Sequence, residues 1–153
     1  MKILEHKVPP PLVALSIGGL MWCVASLVPP LDVPFVVRVA GALALVVIGQ
    51  GIAISGIVSF HRAKTTVNPI KLDTASSLVS SGVFRITRNP MYLGMLITLV
   101  GWAVYLANWL AVLAVPLFVL YMNRFQIAPE ERVMASLFGA DYVAYRERVR
   151  RWI

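Results

Sequence analysis

The sequence predicts an all-α polytopic membrane protein, a single membrane domain over residues 1–153 with about four transmembrane helices. Three observations predict it. The chain is 59% hydrophobic with a mean hydropathy of +0.79, above the roughly 45–50% apolar share of a soluble domain. Its apolar residues gather into four runs, at about 12–28, 36–60, 91–107 and 109–124, and a spanning helix needs about 20 residues. Its basic residues fall almost wholly on one side of those runs.

That asymmetry sets the orientation. Lys2 and Lys7 precede the first run, Arg62, Lys64, Lys71, Arg85 and Arg88 lie between the second and third, and Arg124, Arg132, Arg146, Arg148, Arg150 and Arg151 follow the fourth. Arg38 alone falls on the other side. Basic flanks stay in the cytoplasm, so both termini are expected there, with the spans in a prokaryotic inner membrane. The net charge of +7 is then a topology signal and no nucleic-acid partner is expected, because the charge is divided among membrane-flanking segments. The expected partner is the lipid bilayer itself.

Each element has a local reason. Residues 1–11 are a lead ending in Pro9-Pro10-Pro11. Leu12–Val28 is expected to be an uncleaved first span, since no convincing small-residue cleavage site follows the apolar run. Cys23 is the sole cysteine; it excludes an internal disulfide or a cysteine metal cluster, no metal is expected, and Cys23 is read as a small packing residue. Pro29, Pro30 and Pro34 make a stiff turn. The second span carries Gly49-x-x-x-Ala53 and Ala53-x-x-Gly56, spacings that let helices approach closely, within one chain or across a homodimer. Gln50 near mid-span is expected to bond a neighbouring helix. His61 ends this span, and with His6 as the only other histidine a two-histidine site is not expected.

Residues 61–90 form a long connection on the cytoplasmic side, and long connections in small domains are commonly functional. Thr65-Thr66-Val67-Asn68-Pro69 reads as an extended turn. Gly82 marks a bend where backbone approaches something closely. In Arg88-Asn89-Pro90-Met91-Tyr92-Leu93-Gly94, Asn89 can cap a helix and Pro90 suits its first position. A helix start beside Arg88 is a seat for a carboxylate or phosphate. Asn108 separates the last two runs and predicts a tight helical hairpin. Beyond them, residues 129–153 predict amphipathic C-terminal helices. Pro129-Glu130-Glu131 reads as a helix start whose carboxylates either complement the dipole or face a site. Leu137-Phe138-Gly139 ends that helix and Asp141 caps the next. Tyr142, Tyr145, Val149 and Trp152 share one face of it, which either lies on the membrane or folds back over the mouth of the bundle.

Three blocks resemble the integral membrane methyltransferases of the isoprenylcysteine carboxyl methyltransferase and phospholipid methyltransferase group. They are Leu78-Val79-x-x-Gly82-Val83-Phe84-x-x-x-Arg88-Asn89-Pro90-x-Tyr92-x-Gly94, then Glu130-Glu131, then Phe138-Gly139-x-x-Tyr142-x-x-Tyr145 with the basic end at Arg150-Arg151-Trp152. Asn89 departs from the histidine many members carry. The resemblance implies an S-adenosylmethionine-dependent methyltransferase that yields S-adenosylhomocysteine and methylates a lipophilic carboxylate, amine or thiol. It further implies that Val79, Gly82, Val83, Arg88, Asn89, Tyr92, Gly94, Glu130, Glu131, Tyr142, Tyr145 and Arg146 bind the cofactor, with Glu130, Glu131 and Arg88 catalytic. No Gly-x-Gly-x-x-Gly follows a strand, in keeping with a donor bound outside a Rossmann domain. The alternatives are a small four-span transporter and a structural membrane subunit. A proton-coupled exporter needs an ionisable group within a span. Leu12–Val28, Val39–Phe60 and Met91–Ala107 hold no charged residue, which speaks against it.

Overall fold

A computed structural model describes residues 7–63 and 77–153. Lys2, His6, Lys64, Lys71 and the expected turn at 65–69 lie outside the described residues. Within them the regular structure is helical: α1 (Pro10–Ala25), α2 (Phe35–Arg62), a 3₁₀ turn (Gly82–Arg85), α3 (Pro90–Leu106), α4 (Trp109–Val112), α5 (Val115–Met122), a π turn (Asn123–Ile127) and α6 (Ala128–Arg148). Two helical stretches are long and apolar enough to cross a membrane, α2 and the run from Trp109 to Arg148; α1 and α3 are shorter apolar helices. Large apolar side chains face outward, Leu15 and Val47 each 70% exposed. For water-facing helices such a surface is anomalous; for lipid-facing ones it is the expected solvent side.

The bundle is built on α3. One face of α3 meets α2 through small residues: a Cβ at Gly49 would stand 2.6 Å from the Gly94 carbonyl, and one at Gly56 2.8 Å from the Pro90 ring. Only glycine permits that approach. Gln50 Nε2 donates to Thr98 Oγ1 across the same contact at 3.2 Å. The other face of α3 packs with α1 and α5 around Met21, Tyr92, Leu99, Ala103, Phe118 and Met122. Trp102 Nε1 donates to the Gly18 carbonyl of α1 at 3.0 Å.

α3 ends where Ala107 enters the left-handed region at φ 46°. Asn108 then caps α4, its Oδ1 accepting the Leu110 N–H at 3.0 Å, while its Nδ2 donates to the carbonyl of Ala25, the last residue of α1, and to that of Val28 beyond it. A buried asparagine thus satisfies three backbone groups at the end of the bundle.

Four expectations change. Asn89 holds the cap position of α3, yet its side chain makes no cap bond; Thr87 Oγ1 takes the Asn89 N–H at 3.1 Å instead. Pro129 falls in the first turn of α6, but that start is not a free helix end, because the chain runs from α5 through the π turn into α6 without a break. Proline lacks the N–H that would bond four residues back, and its ring would clash there; the wider π turn just before it accommodates both. Glu130 and Glu131 therefore do not sit at a free helix end. Cys23 is exposed on α1 rather than packed. The expected break after Phe138 survives only as a kink inside α6, at Gly139 with φ 51°.

Candidate active site

At the end of the bundle where α2 stops and α3 starts, the chain closes a cavity of about 90 Å³. Its polar lining includes Arg88, Asn89, Glu130, Glu131, Tyr142 and Tyr145, and its apolar lining Phe60, Val79, Phe84, Ile127 and Met134. The kink at Gly139 turns the second half of α6 inward, so Tyr142, Tyr145 and Val149 are buried against Val79 and Phe84. The tyrosine face folds over the bundle, which decides between the two placements open from sequence. Tyr145 Oη donates to the Phe84 carbonyl at 2.8 Å and holds the 3₁₀ turn in place.

The last residues are laid across the start of α3. The Arg88 N–H donates to the Arg150 carbonyl at 3.1 Å. The Arg151 carbonyl accepts from Asn89 Nδ2 at 2.8 Å and from Thr87 Oγ1 at 3.3 Å. Trp152 Nε1 donates to Asn123 Oδ1 in the π turn at 3.0 Å. Asn89 is thereby spent on the tail, although it lines the cavity.

The two adjacent carboxylates have different partners. Glu131 receives Arg88 Nη2 at 3.0 Å and a two-pronged contact from Arg151, at 3.0 Å from Nε and 2.6 Å from Nη2. Glu130 receives the Tyr92 hydroxyl. Burial pushes the Glu130 carboxyl up to about 8, with the Glu131 charge adding to the rise and the Tyr92 hydrogen bond opposing it. Burial likewise raises Tyr142 and Tyr145. Arg88 Nε and Nη1 are buried with no hydrogen-bond partner. Charged donors left idle at a cavity wall are costly unless an anionic or polar ligand meets them.

Of the residues expected at the site, Val79, Arg88, Asn89, Glu130, Glu131, Tyr142 and Tyr145 line the cavity. Tyr92 supports Glu130 from α3. Gly82 sits in the 3₁₀ turn at φ 61° beside Ser59, and Val83 packs in the apolar layer behind. Gly94 is buried in the α2–α3 contact, and Arg146 is exposed; neither reaches the cavity. Phe60, Ser77, Leu78, Phe84, Ile127 and Met134 also line the cavity and Arg151 binds Glu131, and sequence reasoning assigned none of them to the site. Leu78, Phe84 and Arg151 stand inside the blocks that carry the resemblance and Phe60 closes the second apolar run, whereas Ser77, Ile127 and Met134 carry no signal of their own.

The family profile described as phospholipid methyltransferase matches residues 37–141. The chain belongs to the phospholipid methyltransferase family. The phospholipid methyltransferase match runs from α2 into α6 and takes in Arg88, Glu130 and Glu131. The chain is 48% identical over 63 residues to an uncharacterized Haemophilus influenzae protein, covering 41% of this chain and all of that one. It is 32% identical over 107 residues to protein-S-isoprenylcysteine O-methyltransferase B of Arabidopsis thaliana, covering 70% of this chain and 54% of that protein. Against the protein-S-isoprenylcysteine O-methyltransferase of Schizosaccharomyces pombe it is 30% identical over 118 residues, 75% of this chain and 49% of that one. The chain thus spans about half the length of the plant and yeast members it matches. No solved structure matches it significantly.

Proposed function

We propose that this phospholipid methyltransferase family member is an integral membrane enzyme that moves the methyl group of S-adenosylmethionine to a lipophilic carboxylate, amine or thiol and releases S-adenosylhomocysteine. The observation that carries the reading is the pair of buried, unpartnered nitrogens of Arg88, Nε and Nη1, at the cavity wall, within a chain of this family. The donor brings a sulfonium-activated methyl, so positioning and exclusion of water can supply most of the acceleration. Arg88 has an N–H on Nε or on Nη1 to offer to the donor's carboxylate. Glu131 holds the guanidinium through Nη2. Tyr142 and Tyr145 present aromatic surface suited to a cationic or planar group. Glu130 keeps a proton at neutral pH, and only after ionising, toward about pH 8, is it the group placed to take one from an acceptor that must lose it.

The cavity of about 90 Å³ is smaller than the roughly 300–1,000 Å³ of small-molecule sites. Donor entry therefore requires its walls to move, and the tail pinned through Arg151 and Trp152 is the segment that closes over it. The proposed topology has four spans, from α1, α2, α3 and α4–α5, with both termini in the cytoplasm of a prokaryotic inner membrane. The last two spans form a hairpin at Asn108. The acceptor arrives from the bilayer and the donor from the cytoplasm.

Calorimetric titration of the detergent-solubilised chain with S-adenosylmethionine and S-adenosylhomocysteine tests this. Arg88→Ala is expected to weaken binding by about 1.5–3 kcal/mol, the size of a hydrogen bond to a charged group, and Glu131→Gln to weaken it as well. Normal binding by both variants would remove the pocket assignment. Folded protein that binds neither compound would return the chain to a membrane subunit without catalysis.

A further inference from the structure

α1 and α2 both pack on α3 and leave a cleft of about 790 Å³ between them. Leu15 and Trp22 form one wall, Leu43 and Val46 the other, and Thr98 and Trp102 the floor. No charged side chain lines it, and it shares no lining residue with the cavity at Arg88. Three of the polar groups on its surface are paired within the protein. Gln50 bonds Thr98, Thr98 bonds the Gly94 carbonyl at 2.9 Å, and the Trp102 N–H is spent on Gly18. Water in such a slot would find few of the two to four partners it needs, so the interior suits hydrocarbon.

The rim is different. Arg38 neighbours the lining residue Val39 and lies over the ring of the lining residue Tyr105, 5.7 Å from its centroid. Its Nε donates to the Tyr105 carbonyl at 2.8 Å and Nη2 to the same oxygen. Those bonds fix the guanidinium at the mouth and use two of its five N–H groups. Arg38 is also the only lysine or arginine between Val8 and His61. Asp32, in the connection just before α2, keeps that face near neutral, so any attraction is local to Arg38. A pinned arginine at the lip of an uncharged apolar slot is complementary to an amphiphile with an anionic head and a hydrocarbon chain.

We propose that this cleft binds one anionic glycerophospholipid, with an acyl chain between α1 and α2 and the phosphate on Arg38. The proposal rests on the membrane-spanning reading and is independent of methyl transfer. The bound chain fills the wedge that α1 and α2 leave open over α3.

Native mass spectrometry of the full chain in mild detergent, with phosphatidylglycerol or phosphatidylcholine added, tests it. The wild type is expected to hold one phosphatidylglycerol and to prefer it to phosphatidylcholine. Gly19 lines the cleft and a Cβ there meets nothing within 4 Å, so Gly19→Phe fills the slot and is expected to abolish retention. Gly51 is equally open but outside the cleft, and Gly51→Phe is expected to bind as the wild type does. Arg38→Gln is expected to lose about fivefold for phosphatidylglycerol, the size for one basic residue at an anionic lipid surface, with phosphatidylcholine unchanged. It decides the headgroup contact even if Gly19→Phe misfolds. Equal retention by Gly19→Phe and the wild type, or equal affinity of the wild type for the two lipids, would overturn the proposal. So would a dimer that Gly19→Phe converts to monomer with lipid retention unchanged, which would make this face a contact between two copies.

Discussion

Glu130 and Glu131 are consecutive, yet their surroundings give them separate work. Glu131 faces two guanidiniums and positions them. Glu130 faces a tyrosine hydroxyl in a buried place, and its carboxyl keeps its proton to about pH 8, against an ordinary value of 4.5. Between those values the native chain holds a proton that the unfolded chain has given up, so the Glu130 contribution to stability falls as pH rises through that window. Glu130→Gln keeps an acceptor for Tyr92 and cannot ionise. It is expected to unfold with the same midpoint as the wild type below pH 4.5 and to be more stable above pH 8, by at most about 5 kcal/mol. Denaturant titrations in detergent at the two extremes check this; a wild type as stable as the variant at the alkaline end would show that the burial penalty is absent. If the acceptor is an amine, its methylation is also expected to rise through about pH 8 in the wild type and to lose that rise in Glu130→Gln. The adjacent carboxylates were visible in the sequence; their division of labour was not, because it depends on Arg151 and Tyr92, which lie 20 and 38 residues away.

Among the elements, the α2–α3 contact carries the clearest consequence. The glycine spacing in α2 marked a close helix approach, and the partner face on α3 includes Gly94, which the family pattern had placed at the cofactor. Apolar helices in lipid gain little from hydrophobic burial, so close packing holds them. Gly94→Ala puts a methyl group against Ala53 and the Gly49 backbone and is expected to destabilise by about 1–3 kcal/mol, as overpacking does. The thermal midpoint in detergent should drop while the folded fraction binds S-adenosylmethionine with unchanged affinity. A selective loss of donor affinity at an unchanged midpoint would put Gly94 back at the site. The π turn before Pro129 is the element the sequence hid. Proline after an apolar run reads as a stop and a new start, whereas a single extra residue per turn lets the helix pass through it and carries Glu130 and Glu131 to the cavity in one rigid run.

At the scale of the molecule, the charge asymmetry implies that Asp32 and Arg38 face one side of the membrane and the cavity at Arg88 the other. Asp32 and Ser136 are both exposed. In a Cys23→Ser background, a cysteine at Asp32 is expected to react with a membrane-impermeant maleimide in intact cells, and one at Ser136 only after lysis. Labelling of both in intact cells, or the reverse pattern, would contradict the four-span topology. The cleft between α1 and α2 and the cavity at Arg88 share no lining residue, so the two proposed sites are tested independently.

The sequence by itself determined the membrane class, the helical content, the family and most of the cavity's polar residues. Each of these is written in local composition, in glycine spacing or in short motifs, and hydropathy, charge placement and backbone preference act over a few residues at a time. Tertiary structure alone decided that Asn89 is spent on the tail, that Arg151 clamps Glu131, that Gly94 packs helices, and that the tyrosine face closes the site instead of lying on the membrane. Those outcomes join groups 20 to 62 residues apart, and they follow from which buried donors and acceptors must find partners once the helices have packed.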